Sequence, residues 1–172
     1  MTWTKGRQLA TVGSTTAYAY NDQGIRIKNT ISTTETKYHL VGDRVTAETT
    51  GTQTQYYTYS ATGELVGIRW DGDSYYYIKN AQGDIIQIVD DSGSVVVAYT
   101  YDTWGKLVSI TGSAATTLGV ANPYRYRGYR YDNETGFYYL NSRYYDPETG
   151  RFINCLCWVM RRLNTGFDQR NG

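Results

Sequence analysis

The sequence predicts an all-β fold, a curved and twisted antiparallel sheet built from tandem hairpins. Three observations carry this expectation. Tyr supplies 19 of the 26 aromatic residues, and 18 Gly stand against 2 Pro, a mixture that favours strands joined by tight turns. A turn glycine followed by an apolar residue recurs along the chain, the mark of an internal repeat. Before the last segment, no window of about 11 or more residues sustains a helical apolar pattern. At 172 residues the chain suits one domain with a real core better than two.

The repeats run in order through Gly6-Arg7-Gln8-Leu9, Gly24-Ile25-Arg26-Ile27, Gly42-Asp43-Arg44-Val45, Gly63-Glu64-Leu65, Gly83-Asp84-Ile85 and Gly105-Lys106-Leu107. Their glycines are spaced by 18, 18, 21, 20 and 22 residues, which fits one hairpin per repeat with the slack taken up in loops. Upstream sit the alternating pairs Tyr18/Tyr20, Tyr57/Tyr59 and Tyr99/Tyr101, or a single ring at Trp3, Tyr38 or Tyr77. Alternation by two places both rings of a pair on one strand face. Between rings and glycine lie Asn21-Asp22-Gln23, Ser60-Ala61-Thr62 and Asp102-Thr103-Trp104, turn formers that leave Gly to take a positive φ. Six repeats together with the C-terminal segment would give roughly 12 to 16 strands.

The tyrosine ladders have two readings. Cross-strand stacking that holds the sheet together is the simpler one. The alternative is a carbohydrate-binding adhesin surface in which exposed Tyr57, Tyr59, Tyr99 and Tyr101 stack on pyranose rings.

Charge and composition exclude several functions. Seventeen basic against 16 acidic residues leave a formal charge of +1, so no long-range attraction to nucleic acid or an anionic membrane is built in. The apolar run Cys155 to Met160 is too short to span a bilayer, and Met1 onward shows no basic stretch followed by an apolar run. His39, the lone histidine, stands in a strand pattern without a neighbouring nucleophile. Cys155 and Cys157 lack the second ligand pair of a zinc site and lie too close to bridge each other without strain. Asp71-Gly72-Asp73 and Asp90-Asp91 suit hairpin turns better than a calcium loop. No glycine-rich phosphate loop is present. Neither a catalytic residue, a metal site nor a cofactor is expected.

From Asn122 to Asn154 the character changes. Tyr131-Asp132-Asn133-Glu134-Thr135-Gly136 and Tyr145-Asp146-Pro147-Glu148-Thr149-Gly150 are near-identical turns, in which Asp accepts a backbone N–H and Gly takes the left-handed position. Arg125, Arg127, Arg130, Arg143 and Arg151 alternate with tyrosines, with Asp132, Glu134, Asp146 and Glu148 among them. Guanidinium–carboxylate pairs and Arg–Tyr stacking account for this better than single-stranded nucleic acid does.

This segment closely resembles the Rhs repeat-associated core that follows the YD repeats of bacterial Rhs proteins, wall-associated polymorphic toxins and the C component of insecticidal Tc toxin complexes. The resemblance divides the chain into YD repeats over 1–121, the core segment over 122–154 and a divergent tail over 155–172. It implies a sheet strip that winds into a hollow shell around a C-terminal toxic domain, in proteins that are secreted or carried to the cell surface. This chain would be the last turn or so of such a spiral. Some members of the family continue into an aspartyl autoprotease, which needs two carboxylates close together. Here Asp168 is the only acidic residue after Arg151, and Asp146 reads as a turn residue. The abrupt change after Asn154 is what a frameshift, a fusion scar or a truncated gene copy would leave, and equally what a divergent cap would look like. A strip cut from a spiral has bare edges. Self-association through them, pairing with other parts of a larger Rhs-type protein, or a tail from Leu156 to Leu163 folded over the open end are the expected remedies.

Overall fold

The computed structural model describes residues 1–5 and 8–153; Gly6, Arg7 and the tail, with Cys155, Cys157, Asp168 and the expected cap, lie outside the described residues. Twelve strands follow one another as a meander: β1 (Thr2–Thr4), β2 (Gln8–Val12), β3 (Thr16–Tyr20), β4 (Arg26–Ile31), β5 (Thr34–Val41), β6 (Arg44–Thr50), β7 (Gln53–Tyr59), β8 (Leu65–Trp70), β9 (Asp73–Lys79), β10 (Ile85–Val89), β11 (Val95–Tyr101) and β12 (Leu107–Thr111). Each pairs antiparallel with its sequence neighbour in one sheet ordered β1 to β12. A four-residue helix, α1 (Leu118–Ala121), and a 3-10 turn (Tyr126–Gly128) lead to a second antiparallel sheet, β13 (Arg130–Asp132), β14 (Phe137–Tyr139), β15 (Tyr144–Asp146) and β16 (Arg151–Phe152). The all-β expectation holds. The short helix is below the length at which apolar periodicity can reveal one.

The repeat turns at Gly24, Gly63, Gly83 and Gly105 share one geometry, while Gly42 lies in a two-residue turn that pairs Val41 with Arg44. At Asn21–Ile25 the Gly24 N–H donates to the Asn21 carbonyl at 3.1 Å, the Asn21 N–H donates to the Ile25 carbonyl at 2.9 Å, and the Asn21 side chain accepts the Ile25 N–H at 2.8 Å. Ser60 to Glu64, Asn80 to Asp84, Asp90 to Ser94 and Asp102 to Lys106 repeat the backbone pair. This is a turn closed by a glycine bulge. Gly24, Gly63, Gly83 and Gly105 have φ between 82° and 88°, the conformation for which glycine is the default residue. The bulge shifts register between Ala19 and Tyr20, Thr58 and Tyr59, and Thr100 and Tyr101, so that Tyr20 pairs with Arg26, Tyr59 with Leu65 and Tyr101 with Leu107. The second ring of each pair then closes its own hairpin neighbourhood: the hydroxyls of Tyr20, Tyr59 and Tyr101 donate to the carbonyls of Leu9, Val45 and Ile85 on the preceding strand.

The small sheet fills the inner side of the strip. Tyr138 and Tyr139 are adjacent on β14 and so face opposite ways. Tyr139 accepts the Arg26 N–H of β4 at 2.9 Å, while Tyr138 donates to the Gly105 carbonyl in the β11–β12 turn at 2.9 Å. Strip residues from near both ends of the meander therefore grip the two faces of one plug, and the strip must curve to do so. Apolar packing occurs in two patches. Leu9 and Tyr18 pack with Tyr139 and Tyr144 of the plug, and Tyr57, Ile68, Tyr77, Ile85, Ile88, Val97 and Tyr99 pack with Leu118 and Tyr124. Strands β4 to β6 lie between these patches, and there the interior becomes ionic.

Candidate functional site

Aligning the repeats on their turn glycines explains how an ion comes to be buried. The residue two after the glycine is Leu65, Ile85 or Leu107 in the bulge turns, each part of the core, and the exposed Arg44 after Gly42, whose two-residue turn pairs Val41 with Arg44. After Gly24 the same position holds Arg26, whose side chain has 0% exposure. Burial works most strongly against its charge, yet the Asp132 carboxylate together with the Tyr38 and Tyr144 hydroxyls outweighs that penalty and holds the guanidinium well above its usual range. The pair is bidentate, Nη1 to Oδ2 at 2.5 Å and Nη2 to Oδ1 at 2.7 Å, the fork-to-carboxylate geometry for which Arg is suited. Three tyrosine rings surround the guanidinium, Tyr139 at 4.3 Å, Tyr18 at 4.9 Å and Tyr38 at 5.3 Å.

A second pair lies beside the first. Arg130 of β13 is 10% exposed and meets Glu48 of β6, and its guanidinium covers the other side of the cluster at 4.4 Å from the Tyr38 ring. Glu48 also accepts from the Gln55 amide. Arg125, itself buried, donates to the carbonyls of Asn122 and Val120 and to the Asn133 side chain, and lies 4.6 Å from the Tyr131 ring. Asn122 is fully buried and ties two repeats together: it accepts from the Tyr77 hydroxyl at 2.8 Å and donates to the Tyr99 hydroxyl at 3.2 Å. Asp132, Glu148, Arg127 and Arg130 of the core segment pair with Arg26, Lys106, Asp84 and Glu48 of the repeats, while Arg143 stacks on Phe152 within the segment. Among the described residues one ion pair, Arg130 to Asp132 at 4.0 Å, joins two of them within the segment. Sequence alone did not single out Arg26, Glu48 and Tyr38 as joint residues; the turn-aligned position of Arg26 was the signal available.

The four tyrosines named for sugar stacking line the inner face instead. Tyr57 and Tyr99 are 6% and 5% exposed. Tyr57 meets Tyr124 edge-on at 4.9 Å, and Tyr99 donates to the Gly119 carbonyl at 2.8 Å. Tyr59 and Tyr101 are half-buried, with their hydroxyls committed to the Val45 and Ile85 carbonyls. Rings on the opposite parity, Tyr56 and Tyr76, are the exposed ones at 52% and 46%. His39 is exposed and bonded to Thr49. Asp146 accepts from the Glu148 N–H and the Thr149 hydroxyl, as a turn residue does. Among the described residues no helix is long and apolar enough to cross a membrane.

A hairpin strip curved round a plug, with the joint sealed by buried ion pairs, defines a β-shell unit. Residues 43–166 match the Teneurin YD-shell family model, and the chain belongs to that family. The matched span starts inside the repeats and passes beyond Asn154, where the resemblance read from the sequence stopped. Among curated relatives, the chain is 41% identical over 141 residues to the tRNA3(Ser)-specific nuclease WapA of Bacillus spizizenii and 40% identical over 141 residues to the tRNA nuclease WapA of Bacillus subtilis. Each alignment takes in 80% of this chain but 6% of the relative's length. The crystal structure of TcdB2-TccC3 superposes on 86% of this chain and 8% of that one, with a TM-score of 0.60 at 18% identity, a likeness of fold.

Proposed function

We infer that the chain is a non-catalytic wall-and-plug unit of a toxin shell that encloses or presents a C-terminal effector. The observation that carries this reading is the use made of the interior charge. Arg26 pairs with Asp132 and Arg130 with Glu48, so both carboxylates go to fastening the plug to the strip, where a catalytic site would keep such groups free for a substrate. The nuclease activities in the names of the relatives belong to proteins of which this unit is a small part. Within such a protein the unit works at the cell surface or outside the cell. Its partners are neighbouring shell segments. The terminal strands β1 and β12 each pair on one side only among the described residues, so their outer edges are open to a further strand. Light scattering over a concentration series checks this: association that grows with concentration supports open edges, and a monomer at every concentration refutes them.

Protease protection tests the enclosing role. In a protein that carries this unit ahead of an effector domain, the effector resists added protease while the interlock is intact, and Asp132→Ala exposes it. Equal cleavage of the effector in both proteins would overturn the reading.

A further inference from the structure

One cleft beside the interlock gathers three arginines, two of which the fold leaves without a carboxylate among the described residues. It measures about 470 Å3 and opens where the Asp43 and Gly63 turns of the strip meet the 140–143 loop of the plug. Arg44, Arg130 and Arg143 line it. Asp43 is the only carboxylate in the lining, and among the described residues it forms no ion pair with them. A net charge of +1 for the whole chain means this concentration is not a by-product of a basic surface.

Two of these arginines are held in place without an anion. The Arg44 guanidinium lies 5.9 Å from the centre of the Tyr59 ring and against Gly63, where any side chain would overlap it. That of Arg143 lies 4.6 Å from the centre of the Phe152 ring. Neither has a carboxylate within 4.0 Å among the described residues. Arg130 uses Nη2 on Glu48, while its Nη1 and Nε are buried without a hydrogen-bond partner. A guanidinium stacked on an aromatic face keeps its N–H edge available and has already lost much of its rotamer freedom. Val45, Leu65 and Leu140 supply apolar wall between the charges, which suits the side chains of a peptide better than a bare inorganic anion.

We propose that this cleft binds an acidic polypeptide segment, its carboxylates seated on Arg44 and Arg143 and its apolar side chains on the wall between them. The volume lies within the range of roughly 300–1,000 Å3 common to ligand sites, and planar forks recognise carboxylates bidentately. The site is independent of the shell reading, and either can fail alone.

A fluorescent peptide of alternating Glu and Leu is titrated by anisotropy into the full chain at low salt, with inorganic phosphate, citrate and a Lys–Leu peptide as competitors. The acidic peptide binds, salt weakens it, and the Arg44→Gln/Arg143→Gln variant loses tenfold or more in affinity. Arg69→Gln, outside the cleft lining, leaves affinity unchanged, and circular dichroism confirms that both variants fold. Unchanged affinity in the double variant, or no binding of the acidic peptide, would overturn the proposal. So would displacement by phosphate or citrate at concentrations equal to the peptide's, since the site would then be one for small anions.

Discussion

The strip and the plug are both antiparallel meanders, yet different forces hold them. In the strip each strand pairs with its sequence neighbour, the hairpins closed by Gly24, Gly63 and Gly105 each bring a bulge turn, and successive repeats restate the same contacts. The plug strands span two or three residues each and depend on partners far away in sequence. The Arg26–Asp132 contact joins positions 106 apart. Damage to one hairpin of the strip should therefore be graded and local. Loss of one buried charge at the joint should be felt by the whole molecule.

Alkaline pH acts on both regions and gives the largest effect. Burial pushes the Tyr20 hydroxyl up to about 12, and it raises Tyr57 and Tyr77 in the strip and Tyr144 in the plug. The folded state holds these protons more tightly than the unfolded state, whose tyrosines titrate near 10. Stability is therefore intact below pH about 10 and falls as pH rises through the folded values. Tyr20 and Tyr144 share a hydrogen bond at 2.8 Å across the joint, so strip and plug should be lost together. Tyrosinate absorbance and far-UV circular dichroism should follow one transition; two separated transitions would show the regions to be independent.

Breaking the ion pair comes next. Asp132→Ala leaves a buried, uncompensated guanidinium and should cost about 3–5 kcal/mol in urea denaturation, whereas Arg26→Met with Asp132→Leu should recover most of it. Within the strip, the Lys28–Glu35 pair has both side chains 38% exposed, and Glu35→Ala should change stability little, because solvent screens such a pair. Similar losses for Asp132→Ala and Glu35→Ala would erase the distinction between a shared joint and a local surface pair.

Two turn glycines sharpen the comparison further. Gly83 and Gly105 have φ of 88° and 86°, so an alanine at either bears the same backbone strain, about 1–2 kcal/mol. A Cβ at Gly83 meets nothing within 4 Å, while one at Gly105 would overlap the Tyr126 ring at the approach to the plug. Gly105→Ala should therefore melt well below Gly83→Ala. Equal melting temperatures would mean that the plug does not press on that turn.

The same division decides how much was legible in the sequence. Gly24, Gly63, Gly83 and Gly105 mark their turns within a few residues of sequence, and the alternation of Tyr57 with Tyr59 marks a strand face, so hairpins and sheet could be read directly. Which face was inward could not. Both faces of β7 and β9 carry rings, and only packing against Tyr124 and Leu118 decides that Tyr57 and Tyr77 are buried while Tyr56 and Tyr76 are exposed. Arg130 and Asp132 were legible as members of ion pairs, but their partners Glu48 and Arg26 lie 82 and 106 positions away. Nothing local specifies a distant partner. Repeat alignment came nearest to finding it, because Arg26 stands where Leu65 and Ile85 stand in their repeats, but Arg44 holds the same place after Gly42 and is exposed, so position alone does not mark a buried charge.

The smallest expected effect probes whether every charge at the joint is useful. Glu134 accepts from Asn29 Nδ2 at 3.1 Å and the Tyr18 hydroxyl at 3.3 Å, both on Oε1. Burial, and then the neighbouring Asp132 carboxylate, raise its carboxyl above the ordinary range. The folded state thus favours the protonated form, so stability from this group is fully present below its unfolded value and is lost as pH rises through the folded one. At neutral pH Glu134 is then a cost, unlike Asp132, which has Arg26 against it. Gln in its place keeps an acceptor for Asn29 and Tyr18 and carries no charge. Glu134→Gln should leave stability at pH 7 unchanged or raise it by up to about 1 kcal/mol, and should flatten the pH dependence on the acid side. A loss of several kcal/mol, comparable with Asp132→Ala, would mean that Glu134 belongs to the fastening of the plug rather than lying beside it.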